Sequence, residues 1–268
     1  MNIVITGASD GIGKGMALAF ARRGARLGLI ARRGELLEAL AIELRTVGSP
    51  EVLTAAVDVT DYSATRAALS AFDETFGGEP GGISHLVLNA GISGRAAPWE
   101  DSWPEIKRCF DVNVLAALNS AEWMKAKMVG RRRGTIAGIS SVAATRGLPD
   151  SGAYSASKAA ITTYLESLRV DLAAYGVKVV TVAPGYIRTA LTAKNRGTMP
   201  FLMDADRAGE IFAEGILAGK PFVVAPWPYV WIIRLLRILP RSVYDFAIRR
   251  SVKSVRGETP EQRRARGA

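Results

Sequence analysis

The sequence predicts a single α/β domain in which a doubly wound parallel sheet carries helices on both faces. Three observations lead to this fold class. Short apolar stretches typical of buried strands alternate with longer stretches of helical periodicity. A glycine-rich turn joins the first strand to the first helix. The polar motifs follow the carboxyl ends of strands, which is where sheets of this kind bind their ligands.

The predicted elements alternate in chain order, as a parallel sheet requires. Strands are expected at 3–6, 26–30, 52–57, 83–88, 135–140 and 177–182, and helices from the glycine turn to Gly24 and at 35–46, 62–76, about 103–129 and 153–175. The sequence contains no internal repeat and no convincing interdomain linker.

Length and composition limit the classes of protein that fit. The chain has 268 residues, 49% of them hydrophobic and 22% charged, which suits one large globular domain. Its single cysteine, Cys109, excludes an internal disulfide. Its single histidine, His85, leaves too few ligands for a histidine-rich zinc site and argues against a Ser-His-Asp hydrolase, so we expect no metal. Because strand-like sequence begins at Asn2, we expect a cytoplasmic protein without a signal peptide.

The turn TGASDGIG, residues 6–13, is the first candidate binding site. Gly7 would permit a tight turn, Gly11 would let backbone amides approach a pyrophosphate at the helix N-terminus, and Gly13 would allow close packing of helix on strand. The alternative is a purely structural turn. The dinucleotide contacts expected here are Thr6, Gly7, Ser9, Asp10, Gly11, Ile12 and Gly13.

The ends of the second and third strands predict which dinucleotide binds. Arg32 and Arg33 stand where an acidic residue would select the free 2′-hydroxyl of NAD(H), and a guanidinium suits a 2′-phosphate instead. We therefore favour NADP(H), with NAD(H) as the alternative. The two arginines could also be a solvent-exposed pair that caps the next helix. Asp58, followed by Val59, could accept a hydrogen bond from the adenine amino group.

The segment from Ser140 to Lys158 carries the chemistry. Tyr154 and Lys158 lie four residues apart in YSASK and would share one helix face, while Ser141 lies thirteen residues before the tyrosine at a strand end. A neighbouring ammonium would lower the pKa of the phenol, which could then exchange a proton with a carbonyl oxygen that the serine holds. The alternatives are a chance YxxxK pattern and serines that only cap a turn.

These motifs, taken together, resemble the short-chain dehydrogenase/reductase family in its TGxxxGxG and YxxxK branch. The resemblance covers about the first 190 residues in the expected order. The matching features are the glycine turn, Asp58, NAG at 89–91, Asn113, Ser141, YSASK at 154–158, and Pro184-Gly185 with Thr189. The resemblance implies a Rossmann-type sheet of order 3-2-1-4-5-6, with a seventh strand at 221–225. It also implies homodimers or homotetramers built on the helices of 103–129 and 153–175.

The resemblance also implies the role of each site residue. Tyr154 would be the general acid/base, and Lys158 would lower its pKa and bind the nicotinamide ribose. Ser141, preferred over Ser140 because the family spacing to the tyrosine is thirteen, would orient the substrate oxygen, and Asn113 would hold a water beside Lys158. The remaining cofactor contacts would be Asn89, Ala90, Gly91, Pro184, Gly185, Ile187 and Thr189. Leu88 departs from the pattern, since many relatives have a second asparagine there.

Two segments bear on specificity and partners. Residues 190–212 fall where the family places a substrate lid, and the apolar residues at 199 and 201–203 suggest an apolar substrate. We place the main domain at 1–226 and a C-terminal extension, with an amphipathic helix and a basic tail, at 227–268. The stretch 227–239 is too short to span a bilayer. It could pack as a helix, form a subunit interface, or bring 227–241 to the inner face of a membrane.

From Arg241 onward the chain has eight Lys/Arg and three Asp/Glu, within a net charge of +10 for the whole chain. Such a tail could bind nucleic acid or anionic lipid, but we favour a solvated end and expect no nucleic-acid partner. The sequence thus predicts an NADP(H)-dependent reductase or dehydrogenase for a small carbonyl or secondary alcohol. One alternative is a dinucleotide-binding sensor or scaffold without turnover. A nucleotide-sugar epimerase or dehydratase is disfavoured, because it would usually have TGxxGxxG and a longer substrate domain.

Overall fold

The structure is a computed structural model that describes residues 1–79, 81–94, 101–193 and 198–253. Its strands are β1 (Asn2–Thr6), β2 (Arg26–Ala31), β3 (Val52–Ala56), β4 (His85–Leu88), β5 (Gly134–Ile139), β6 (Val177–Pro184), β7 (Ile187–Arg188), β8 (Met203–Asp204) and β9 (Phe222–Ala225). Its helices are α1 (Gly11–Ala21), α2 (Gly34–Val47), α3 (Tyr62–Thr75), α4 (Trp103–Phe110), α5 (Ala116–Arg131), α6 (Gly152–Ala173), α7 (Ala190–Ala193), α8 (Ala205–Leu217), α9 (Pro228–Ile238) and α10 (Arg241–Lys253).

Seven strands form one parallel sheet of order β3-β2-β1-β4-β5-β6-β9. This confirms the predicted order, including the seventh strand. At the centre, Ile3 of β1 pairs with Leu27 of β2 on one side and with His85 of β4 on the other. The chain therefore adds β2 and β3 on one side of β1 and then crosses over to add β4 on the other side. The crevice between β1 and β4, at their carboxyl ends, is where sheets of this kind bind ligands.

Helices cover both faces of the sheet, and the core forms two layers. Along β1, Ile3 and Ile5 face the layer that contains α1, α2 and α8. Val4 faces the layer that contains α3, α5 and α6. Successive strand residues point to opposite faces, so a strand buried on both sides reads as the continuous apolar run seen in the sequence.

The predicted lid at 190–212 is only partly correct. Its first part is the short helix α7, and β8 then pairs with β7 in a separate two-stranded ladder. Its last part belongs to the core helix α8, on which Ala208 and Phe212 are fully buried. Helices α1 and α8 touch so closely that a Cβ on Gly209 would lie 2.2 Å from the carbonyl carbon of Gly15. Residues 194–197 lie outside the described part of the chain.

The predicted helix over about 103–129 is interrupted. Helix α4 ends at Phe110, and a π-helical segment over Asp111–Leu115 connects it to α5. Such segments arise when one residue more than an α-helical turn is accommodated, and they are frequent at functional sites. Asn113 lies in the middle of this segment and is buried.

The described part of the C-terminal extension is packed against the main domain. The Tyr229 hydroxyl of α9 donates to the Pro200 carbonyl at 2.9 Å, and the Tyr244 hydroxyl of α10 donates to the Gly147 carbonyl at 2.7 Å. Arg146 Nε donates to the carbonyl of Leu236 at 2.9 Å. Among the described residues, no helix is long and apolar enough to cross a bilayer. The basic tail beyond residue 253 lies outside the described residues.

Candidate functional site

A cleft of about 480 Å³ opens at the carboxyl ends of the central strands. Its volume lies in the range of small-molecule and cofactor sites. Every residue that the sequence predicts to bind the cofactor or to take part in catalysis lines this cleft, except Thr6 and Asn113. The parallel sheet brings these residues together because each motif follows a strand whose carboxyl end lies at the same edge.

The glycine turn has the shape that a pyrophosphate requires. Gly7 and Gly11 have φ angles of 67° and 55°, in the left-handed region that glycine adopts readily. A Cβ on Gly13 would lie 2.4 Å from the carbonyl oxygen of Gly7, so a side chain there would break the turn. Asp10 caps α1 by accepting from the Gly11 amide at 2.6 Å. The N-terminus of α1, with its free amides and positive end of the dipole, is therefore open to an anionic group in the cleft.

Thr6 and Asn89 hold this turn in place. Asn89 Nδ2 donates to the carbonyls of Thr6 at 3.0 Å and Gly7 at 2.9 Å. Thr6 Oγ1 accepts from the Ala90 amide at 3.2 Å. Thr6 is buried and is not among the residues that line the cleft, and its hydroxyl holds the loop after β4. These bonds connect β1 and the glycine turn to the loop after β4.

Arg32 and Arg33 form the opposite end of the cleft from the tyrosine. Arg33 Nη2 donates to Ser9 Oγ at 3.0 Å and lies 3.7 Å from an Asp10 carboxylate oxygen. Arg32 Nη1 lies 3.7 Å from an Asp58 carboxylate oxygen. Both arginine side chains are more than half exposed, at 59% and 55%. Their guanidinium groups therefore remain accessible to an anion beside the glycine turn.

Asp58 is a carboxylate with a lowered pKa. Burial alone would raise its pKa, but the amide and hydroxyl of Thr60 donate to Oδ1 at 3.0 and 2.8 Å and lower it. The charges of Arg32 and Arg108 lower the pKa further. The group is therefore an ionised hydrogen-bond acceptor at neutral pH, as an adenine contact requires.

Ser141 acts on Tyr154 through its side chain: burial raises the pKa of the phenol, and the serine side chain lowers it. Ser141 begins the short 3₁₀-helix Val142–Ala144, and its Oγ also accepts from the Ala143 amide at 3.1 Å. The neighbouring Ser140 is used differently, since its Oγ donates to the Lys158 carbonyl at 3.0 Å and lies 2.5 Å from Thr162 Oγ1. Ser141 is thus the serine whose hydroxyl meets the phenol.

The charge relation between Tyr154 and Lys158 differs from the expectation. Burial raises the pKa of Tyr154, although the hydrogen bond from Ser141 opposes the rise. Lys158 is 4% exposed, and burial lowers its pKa to about 8. Its Nζ donates to the Ile139 carbonyl at 2.8 Å and lies 5.8 Å from the centre of the tyrosine ring. The predicted lowering of the tyrosine pKa by the lysine is therefore wrong for this structure, because burial weakens both charged forms.

Asn113 lies behind the cleft. Its Oδ1 accepts from the Ile92 amide at 2.8 Å, while its Nδ2 donates to the Ile92 carbonyl and to Ser157 Oγ, both at 3.0 Å. A Cβ on Gly91 would lie 3.3 Å from both Asn113 Oδ1 and Lys158 Nζ, so the asparagine and the lysine flank this glycine. Asn113 thus fixes the loop after β4 next to Lys158.

The cleft also has lining residues that the sequence analysis missed. They include Thr60, Arg108, Asp111, Val112, Leu191 and Thr192. Arg108, Asp111 and Val112 have the i, i+3, i+4 spacing of a shared helix face within the five residues before Asn113, and this signal could have revealed them. Thr192 Oγ1 donates to the Ile187 carbonyl at 2.6 Å, a local bond without a sequence signature.

Comparisons with known proteins show the family to which the chain belongs. The family model for short chain dehydrogenases matches residues 1–200. An uncharacterized oxidoreductase of Myxococcus xanthus is 40% identical over 247 residues, which cover 92% of this chain and 96% of that protein. A short-chain type dehydrogenase/reductase from Mycobacterium marinum has a crystal structure with a TM-score of 0.76 at 29% identity, covering 85% of this chain and 94% of that one. A short-chain dehydrogenase from Sphingobium yanoikuyae in complex with NADPH gives a TM-score of 0.74 at 26% identity, covering 90% and 96%.

The sheet order and the cleft define a dinucleotide-binding α/β enzyme. The chain belongs to the short-chain dehydrogenase/reductase family. It is an oxidoreductase that uses a nicotinamide dinucleotide, NAD or NADP, and a small-molecule substrate.

Proposed function

We propose that this protein is an NADP(H)-dependent oxidoreductase that transfers a hydride between the nicotinamide and a carbonyl or secondary alcohol of an apolar substrate. One observation supports it most directly. One cleft is lined by Ser141 and Tyr154 beside Lys158 at one end, and by Arg32 and Arg33 at the other. Chemistry and cofactor selection would then take place at opposite ends of one bound dinucleotide.

The preference for NADP(H) rests on the charge at the adenosine end. A 2′-phosphate would lie between two accessible guanidinium groups, and one of them is already held over the glycine turn by Ser9. No acidic residue stands at 31–33 to accept from a free 2′-hydroxyl. Charge-assisted bonds of arginine to phosphate are stronger than neutral hydrogen bonds, which favours the phosphorylated cofactor.

The reaction follows from the groups around Tyr154. When bound, the nicotinamide cofactor supplies the hydride for reduction or accepts it in oxidation. Tyr154 donates its phenolic proton to the carbonyl oxygen as the π electrons of the C=O bond move to that oxygen, and Ser141 donates a hydrogen bond to the same oxygen. Lys158, with a pKa of about 8, can return a proton to the phenolate near neutral pH. We assign Asn113 the role of holding the loop, and a water beside Lys158, in position.

An apolar substrate is supported by exposed apolar side chains in the segment that follows β7. Leu191 lines the cleft and is 37% exposed. Phe201, which is 53% exposed, packs edge-on against Tyr229 with ring centres 6.0 Å apart. Contact of these apolar surfaces with a hydrocarbon substrate would be more favourable than contact with a charged one.

A fluorescence titration with NADPH and with NADH tests the cofactor preference without a known substrate. We expect NADPH to bind more tightly, and the ratio of the two Kd values to fall about tenfold or more when Arg32 and Arg33 are both changed to alanine. Arg66→Ala, at an exposed position on α3, is the matched control and should leave the ratio unchanged. A wild-type protein that binds NADH more tightly would refute the assignment.

Tyr154→Phe tests the acid/base role. The variant should keep the wild-type Kd for the cofactor and lose about two to four orders of magnitude in kcat with a model ketone. Tyr175→Phe, at an exposed tyrosine after α6, controls for the loss of a hydroxyl. Turnover at the wild-type rate in Tyr154→Phe would exclude the tyrosine as the proton donor.

The proposal includes assembly and location. Exposed apolar side chains on the long helices, namely Leu115 and Val170, support a homodimer or homotetramer. The proposed location is the cytoplasm. The proposal also includes peripheral contact of residues 227–241 with the inner face of a membrane. Sedimentation velocity of the purified protein would contradict the assembly if it gave a monomer at micromolar concentration.

A further inference from the structure

The outer face of α9 carries large apolar side chains. Trp227, which precedes the helix, and Trp231, Leu235 and Ile238 are 70%, 60%, 58% and 79% exposed. Their spacing of four, four and three residues places them along one side of the helix. The opposite side of α9 is fixed to the domain through the buried Tyr229 and Ile233. The exposed side chains therefore form a continuous apolar stripe on a helix that already has its packing partners.

Basic side chains border this stripe. Arg234 places its guanidinium over the Trp231 ring, 4.9 Å from the ring centre, and Arg237 is exposed on the same flank. Helix α10 repeats the arrangement with Val243 and Phe246, which are 48% and 62% exposed, and Arg250 lies over the Phe246 ring at 5.1 Å. Between residues 227 and 253 the sequence has six Lys/Arg and a single acidic residue, Asp245.

This combination matches the chemistry of an anionic bilayer surface. Tryptophan is enriched at the boundary between headgroups and acyl chains, and an arginine beside it can reach the phosphates while its stem covers apolar surface. Helices that lie in this boundary have one apolar face and a basic border. A second copy of the chain would fit less well, since stacking two such faces would bring like charges together.

We propose that the outer faces of α9 and α10 bind the surface of a membrane that contains anionic lipid. This deepens the proposed function, because the inner side of α9 contacts the wall of the cleft. A Cβ on Gly185, which lines the cleft, would lie 2.3 Å from the Tyr229 ring. Arg146 of the loop that follows Ser141 is bonded to the last carbonyls of α9. A bound membrane therefore lies next to the site, and an apolar carbonyl compound dissolved in it is the class of substrate that we expect.

Vesicle flotation of the full-length protein tests the proposal without cofactor or substrate. We expect the protein to float with phosphatidylcholine vesicles that contain about 30% phosphatidylglycerol at about 0.15 M salt, and to partition at least tenfold less onto pure phosphatidylcholine. Replacing Trp231 and Ile238 by glutamine should lower the partition at least tenfold. Ile42→Gln removes an isoleucine that is 66% exposed on α2, far from this face, and should bind as the wild type does.

Three outcomes would overturn the proposal. They are a wild-type protein that stays unbound at excess anionic lipid, a double variant that binds as well as the wild type, and a double variant whose only change is a smaller assembly in sedimentation. The last would assign the face to a second copy of the chain. Circular dichroism checks that the double variant is folded, and Ile238→Gln alone repeats the test with a milder change. Because NADPH titration measures cofactor binding independently, failure of vesicle binding would refute the membrane contact and leave the cofactor and acid/base assignments standing.

Discussion

Replacing Lys158 with methionine should remove a large pH dependence of stability. The ammonium is buried, and its Nζ is held by one backbone carbonyl, that of Ile139, at 2.8 Å. Burial lowers the lysine pKa to about 8 from its ordinary 10.5. Methionine has a similar length and no charge, so Lys158→Met keeps most of the packing and removes the titration.

The magnitude follows from the two pKa values. Above about pH 8 the folded chain releases the lysine proton, whereas the unfolded chain retains it up to about 10.5. Between these values the unfolded state binds more protons, so the free energy of unfolding rises with pH. From 10.5 down to about 8, at about 1.4 kcal/mol for each pKa unit, the rise amounts to about 3 kcal/mol. This gain in the free energy of unfolding is complete above the lysine pKa of the unfolded chain, and it is lost as pH falls to the lysine pKa of the folded chain.

Urea unfolding of both proteins, followed by circular dichroism between about pH 7 and pH 11, measures this effect. Other groups titrate in the same range, but they are common to both chains and cancel in the difference. The wild type should gain about 3 kcal/mol relative to Lys158→Met across the range. Lys220→Met removes the same charge from an exposed position and controls for net charge. A difference that stays flat with pH would refute the burial of a charged lysine at this position.

Two further predictions concern the sheet and the helix contact. Burial, together with the nearby N-terminal amine and Lys178, lowers the pKa of His85 to about 4 from 6.5. The free energy of unfolding should therefore fall as pH drops from about 6.5 to 4. Urea unfolding of His85→Asn should show up to about 3 kcal/mol less of this loss than the wild type. Gly209→Ala should destabilise the fold by about 1–3 kcal/mol in thermal unfolding because its Cβ would meet the backbone of α1. The control Gly130→Ala, where a Cβ would meet nothing within 4 Å, should be neutral or stabilising, and equal effects of the two changes would contradict the close contact.

Strand order and the arrangement of the cleft could be predicted because they depend on local patterns. The motifs at Gly7, Asp58, Asn89 and Ser141 each follow a strand, and in a parallel sheet all strand ends of one kind lie at one edge. The expected strand order therefore predicts that these motifs lie close together in space, although they are far apart in the sequence.

Helix α8 escaped prediction although its apolar residues have helical spacing. Gly209 and Gly215 weaken the helical signal. Position 209 requires glycine because the backbone of α1 lies against it, and the sequence alone does not show that contact. The pKa relation of Tyr154 and Lys158 escaped for a similar reason. The motif predicts their proximity on one helix face, but the direction of each pKa depends on how completely the surrounding elements exclude water.

The ladder between β7 and β8 has a consequence for how this chain can change in evolution or in the laboratory. Pairing of Ile187 with Met203 and of Arg188 with Asp204 brings the two ends of the segment 189–202 together. For a loop with joined ends, each doubling of length costs only about 0.6 kcal/mol of closure entropy. Insertions between these ends should therefore be tolerated by the sheet and by α8. The pocket can be reshaped here for another substrate by insertions that leave Thr189, a predicted cofactor contact, in place.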